Sequence, residues 1–257
     1  MVRSVDALSA GDFAIADDVA TSRTQDLFTY SLPRLTLRRG DRAAVPVFDA
    51  EVACHDAYTW DLHVRRKDIE AAPGGAGASP LVLSDARVWH QVELVNGTAV
   101  PWTTGPAFLL ERSASGSPRP LAQELLAYTA PGGTVRVPVT VAIDVRAGFS
   151  EEETGREMNA MRWLGNAYAR IEKKGRLELT SSIAEPVDVE VTCELGGRAV
   201  EATHDGKISL DAFRADDWKE YVGHPGANHH STVRFLLRLE PGKTVAPEFR
   251  YHYFTRH

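Results

Sequence analysis

An all-β fold, arranged as two antiparallel β-sandwich-like domains, is what the sequence predicts, and three observations carry that expectation. The first is two-residue alternation. In TVRVPVTVAIDV, Val135, Val137, Val139, Val141, Ile143 and Val145 fall on one side, and Thr134, Arg136, Pro138, Thr140, Ala142 and Asp144 on the other. That is the period of an extended chain with one face buried. The second is recurrence of the pattern: Val187, Val189, Val191, Cys193 and Leu195 share one face, as do Val88, His90, Val92 and Leu94, and Val233, Phe235, Leu237 and Leu239. The third is punctuation by turn formers, at Arg39-Gly40-Asp41, Pro131-Gly132-Gly133, Gly196-Gly197, Asp205-Gly206 and Glu240-Pro241-Gly242. Their preset or unrestricted backbone angles suit tight reversals. Many strands joined by short turns bury their apolar faces best as packed antiparallel sheets.

Along the chain, residues 1–26 read as an irregular lead-in, 27–147 as a first β domain and 148–257 as a second, with the boundary near Gly148. Within the first domain, AAPGGAGASP over 71–80 has no apolar anchor and is expected to be an exposed, protease-sensitive loop. Val92 and Leu94 end a strand on its core face, after which Asn96-Gly97 releases the chain. Pro101 and Pro106 then fix backbone angles around a corner leading into Ala107. Pro138 cannot donate a ladder hydrogen bond, so its strand is expected at an edge or bulged there.

The second domain opens with the one segment that resists an all-β reading. Ser150 and Glu153 form a capping-box pattern, Met158, Met161, Leu164, Tyr168 and Ile171 recur at helical spacing, and Lys173-Lys174-Gly175 suits a helix end. Further on, Leu177 and Leu179 alternate with Arg176, Glu178 and Thr180. The expectation is a short helix or irregular turn over 151–164, followed by strand.

Composition narrows the function classes. The chain has 257 residues, 43% hydrophobic and 25% charged, as for a globular protein with a sizeable core. A formal charge of −6 gives no basic footprint for nucleic acid. No apolar run reaches the length of a membrane span, and MVRSVDALSAGDFAIADD lacks the apolar centre of a signal peptide. Cys54 and Cys193 stand far apart, without the close spacing of a zinc or redox motif, and read as two buried free thiols.

The segments LFTYSLPRLTLRRGDRAAVPVF, VELVNGTAVPWTTGPAFLLE, QELLAYTAPGGTVRVPV, GRLELTSSIAEPVDVEV and VRFLLRLEPGKTVAPEFRYHY resemble, in this order, the C-terminal domain of unknown function of mucoidy inhibitor A-like proteins. The corner segment matches best, with Asn, Thr, Pro and Gly-Pro at the end of one strand and the start of the next. Members of that family often carry a further N-terminal domain and a coiled coil, so this chain is expected to be a standalone version or a C-terminal fragment. The resemblance implies an all-β fold and an envelope role if the chain belongs to a longer exported protein. It implies no catalytic residues.

His224, His229 and His230, near Asp216, Asp217 and Glu220, are the densest metal-ligand group. They support a metal-dependent hydrolase as the rival reading, although no helical His pair holds two ligands in register. Cys54, His55 and Asp56 have the residue types of a nucleophilic triad, but consecutive side chains of an extended chain point to opposite faces. There is no nucleophile elbow, Walker loop or dinucleotide fingerprint. His90 lies on an apolar face and reads as a core residue. Asn96-Gly97-Thr98 satisfies a glycosylation sequon and reads as a turn. Tyr58, Trp60 and Trp102 are the candidate partner-binding side chains, for a protein or a glycan. The expected function is therefore a non-enzymatic interaction or assembly module with no cofactor, whose partner is another protein or a second copy. The alternatives are the metal-dependent hydrolase and a carbohydrate-binding module.

Overall fold

The structure is a computed structural model and describes residues 20–24, 27–31, 36, 38–40, 48–64, 87–112, 117–163, 165–211 and 228–256. The expected loop at 71–80 lies outside them. The chain divides into two compact units, Met1–Asp56 with Gln91–Thr140, and Ala57–His90 with Val141–His257.

In the first unit, β1 (Ala20–Thr24) and β2 (Leu27–Ser31) form an antiparallel pair, and β5 (Gly105–Arg112) and β6 (Pro118–Leu126) form another. Residues 20–24, part of the expected lead-in, are thus strand. The remaining strands form a ten-stranded sheet: β3 (Ala53–Val64), β4 (Arg87–Val95), β7 (Thr134–Trp163), β8 (Asn166–Ser181), β9 (Val187–Leu195), β10 (Arg198–Ala202), β11 (Lys207–Asp211), β12 (His230–Leu239), β13 (Thr244–Val245) and β14 (Glu248–Arg256). Its order is β10-β14-β8-β7-β4-β3-β9-β12-β11, with β13 also on β8. Gly148 lies inside β7.

The core of the second unit follows the alternation read in the sequence. Val189, Val191, Cys193 and Leu195 of β9 are fully buried and meet Val233, Phe235, Leu237 and Leu239 of β12. The register places Val233 opposite Cys193, Phe235 opposite Val191 and Leu237 opposite Val189. The same cluster takes in Trp60 and Leu62 of β3, Leu177 and Leu179 of β8, and Phe249 of β14.

Three expectations are corrected. The sheet is not wholly antiparallel, because β3 and β9 run parallel, with Trp60 opposite Val191 and Leu62 opposite Cys193. Alternation reports which face is buried and carries no information about strand direction. Second, the apolar face of TVRVPVTVAIDV does not persist: Val137, Ala142 and Val145 are buried while Ile143 is 84% exposed. Burial moves to the other parity at Ala142, just after the chain passes from one unit to the other between Thr140 and Val141, and returns at Val145.

Third, among the described residues there is no helix over 151–164; β7 continues as strand to Trp163 and pairs with β8, Glu151 opposite Gly175 and Met161 opposite Tyr168. The register shifts between Glu153 and Gly155 and again between Glu157 and Met161, and Asn159 takes a left-handed φ of 57°. Such bulges insert unpaired residues, which stretches an apolar period of two and imitates helical spacing. The capping-box Glu153 instead holds Arg156 through two hydrogen bonds, 2.8 and 3.0 Å. Gly175 ends no helix. It is the strand position over which the Phe249 ring lies, where a Cβ would overlap that ring, and Phe249 stacks on Phe149 with centroids 6.1 Å apart.

Candidate functional site

The corner after β4 is built around one buried amide. Asn96 Nδ2 donates to the carbonyls of Val100 and Thr129, each at 3.0 Å. Its Oδ1 accepts from the Thr98 amide at 3.0 Å and the Thr98 hydroxyl at 2.6 Å. The Asn96 backbone bonds both glycines of the facing turn, donating to Gly133 at 2.8 Å and accepting from Gly132 at 2.7 Å. Gly132 holds a φ of 76°, a conformation natural to glycine. Trp102 and Thr129 then exchange both backbone hydrogen bonds at 2.9 Å. Both donors and both acceptor directions of Asn96 are consumed. The sequon is a structural clamp, and a glycan on Nδ2 is incompatible with it.

The candidate aromatics sit mostly inside. Trp60 is fully buried and Trp102 only 7% exposed, and among the described residues neither indole N–H has a hydrogen-bond partner. Tyr58 is half-buried and stacks on His90, with centroids 5.1 Å apart. Tyr58 and Trp60 belong to one unit and Trp102 to the other. Trp60 and Trp102 therefore present no open ring face on which a sugar could stack.

Of the candidate metal ligands, His224 lies outside the described residues, as do Asp216, Asp217 and Glu220. His229 is exposed and His230 half-buried at the start of β12. Among the described residues no group of three His, Cys, Asp or Glu side chains is placed to hold a metal. Among the described residues neither Cys54 nor Cys193 forms a disulfide; Cys54 is half-buried and Cys193 fully buried. Burial, and then the charge of Asp61, pushes the Cys193 thiol well above its ordinary range. Cys54, His55 and Asp56 follow one another in β3.

Two groupings escaped the sequence reading. One is a buried polar cluster on β7, β8 and β14. Glu151 has a fully buried side chain; its Oε2 accepts from the Tyr251 hydroxyl at 2.6 Å, and its Oε1 lies 3.6 Å from Lys173 Nζ. Burial, and then the negative charge of Glu151, pushes the Tyr251 hydroxyl far up, so it stays a donor. Glu151 opposes Gly175 on β8, and Tyr251 of β14 opposes Lys173, so the carboxylate reaches the phenol diagonally across β8. With no exposed surface, the carboxylate is out of reach of a substrate; the cluster ties three strands together. Its signal was parity: Glu151 continues the Val145, Ala147, Phe149 series once β7 is read as strand.

The other is the apolar surface of β5 and β6. Phe108 is 65% exposed and Leu125 67% exposed. Pro106 opposes Leu125 and Phe108 opposes Gln123, so Pro106, Phe108 and Leu125 share one face. Leu121, also exposed, sits at the irregularity opposite Leu109 and Leu110.

Among the described residues no helix is long and apolar enough to cross a membrane. Compared with known protein families, curated proteins and solved structures, the chain matches none.

Proposed function

We propose that the chain is a non-enzymatic, β-sandwich-type interaction or assembly module that associates with a second copy of itself through the β5–β6 face. The observation that carries this reading is the exposure of Phe108 and Leu125, diagonal neighbours on one face of a two-stranded ribbon. Two large apolar side chains held together in water favour a partner that covers them. A second copy suffices, because a two-fold axis brings the same patch to itself. Pro118 and Pro120 withhold amide donors along β6, which favours contact through the ribbon's face over extension from that strand. The sandwich description is supported by one core cluster that gathers side chains of β9 and β12 with those of β8 and β14. Kinship with the mucoidy inhibitor A-like domain belongs to the same proposal, supported by the order of the strand and turn segments.

Sedimentation across a concentration series tests the proposal. A monomer–dimer equilibrium is expected for the native chain, and a monomer at every concentration for Phe108→Ser/Leu125→Ser with an unchanged circular dichroism spectrum. A native chain that stays monomeric up to about 100 μM, which corresponds to association weaker than about −5.5 kcal/mol, overturns it.

A further inference from the structure

The face of β10, β14 and β8 that carries the even-numbered residues of β14 is mostly closed by ion pairs. Lys174 meets Glu248 at 3.0 Å, Arg176 meets the same carboxylate at 3.5 Å, and Arg170 meets Glu172 at 2.6 Å. One place departs from this. Arg198 on β10 stands opposite His252 on β14, which in turn stands opposite Glu172 on β8. Directly opposed residues of antiparallel strands share a face, with side chains about 5 Å apart at their bases. Glu172 is engaged by Arg170. Arg198 is exposed and, among the described residues, has no acidic partner within ion-pair distance.

A third group arrives from the segment entering β12. Asn228 clasps the backbone of Phe254, its Nδ2 donating to the carbonyl at 2.9 Å and its Oδ1 accepting from the amide at 2.7 Å. That clasp fixes the next residue, His229, beside the end of β14. His252 is held in place by an edge-on contact with Phe254, centroids 6.0 Å apart.

We propose that Arg198, His252 and His229 form a binding site for a tetrahedral oxyanion, the phosphate or sulfate group. Arg198 supplies a permanent charge and a forked donor, and the two imidazoles supply N–H donors. Burial, then the charges of Arg170 and Arg198, holds His252 below the ordinary histidine range, with Glu172 opposing and His229 adding to the effect. An anion seated among these groups offsets their repulsion and favours the imidazolium. Binding therefore takes up a proton and strengthens as pH falls.

The test follows the imidazole ring protons of His252 by NMR through a pH titration in sodium sulfate and in sodium chloride of equal ionic strength. The site predicts a higher His252 midpoint in sulfate, and about tenfold weaker sulfate binding in Arg198→Gln. Arg198→Lys retains part of the affinity. Co-sedimentation with phosphatidylcholine vesicles, with and without phosphatidic acid, separates a lipid-borne phosphate from a free one: Arg198-dependent pelleting on phosphatidic acid alone also supports the site. Equal His252 midpoints in the two salts together with no such pelleting overturns the proposal, as does a sulfate response unchanged in Arg198→Gln.

Discussion

Asn96 and Thr129 are joined across the corner by a buried hydrogen bond of 3.0 Å, from the side-chain amide of one to the backbone carbonyl of the other. That bond connects the end of β4 to the segment following β6, 33 residues further along the chain. It turns what reads locally as a loose Asn-Gly reversal into a fixed joint. The four side-chain bonds of Asn96 are closed at once, and the residue has no exposed surface.

Asn96→Ala should therefore cost about 2 to 4 kcal/mol, since it removes the four side-chain hydrogen bonds of a buried residue at once, leaves the Thr129 carbonyl with the Trp102 amide as its remaining donor and frees Thr98. Asn96→Asp keeps the shape but turns an acceptor toward two carbonyls. It should be the more damaging change at neutral pH and recover partly in acid, where the carboxyl protonates and donates. Urea unfolding at pH 7 and pH 4 measures both.

Glu151 and Lys173 make the second prediction. Glu151 is fully buried and Lys173 nearly so. Removing either partner leaves a charge inside, at a cost of about 3 to 5 kcal/mol. Replacing both, as Glu151→Gln/Lys173→Met, should restore much of that loss, because the Tyr251 hydroxyl can still donate to the Gln carbonyl oxygen. A double-mutant cycle by chemical denaturation reads the coupling. Additive losses would remove the ion pair from the account of the fold.

The third concerns Gly175 and Phe249. A methyl at Gly175 would overlap the Phe249 ring, so Gly175→Ala should destabilise by about 1 to 3 kcal/mol even though alanine suits a strand no worse than glycine. Phe249→Leu introduced beside it should relieve part of the loss while weakening the native background, where the Phe149 stack is broken. Melting temperatures of the four proteins give the comparison.

Much of the sheet was legible beforehand because alternation is a local property. Val187 to Leu195 and Val233 to Leu239 each declared a buried face, and the two faces do meet in register. The segment 151–164 was misread because bulges alter spacing, and a bulge is a relation between two strands that a single strand does not display. The same misreading hid Glu151, whose parity marks it as inward only once β7 is seen to run through Ser150. For Trp60 and Trp102 the residue type allowed either core packing or partner contact, and their burial was decided by what covers them.

By itself the sequence determined the all-β class, the core faces of β9 and β12 and the existence of the corner, since chain stereochemistry and apolar periodicity act between near neighbours. Only the tertiary structure decided that β3 lies parallel to β9, that Asn96 is a saturated clamp, that Arg198 stands opposite His252 and that Asn228 is clasped to Phe254. Those features depend on segments that meet after dozens of intervening residues. The free energy that selects such meetings comes from burial and hydrogen bonding between distant parts of the chain, which no local pattern encodes.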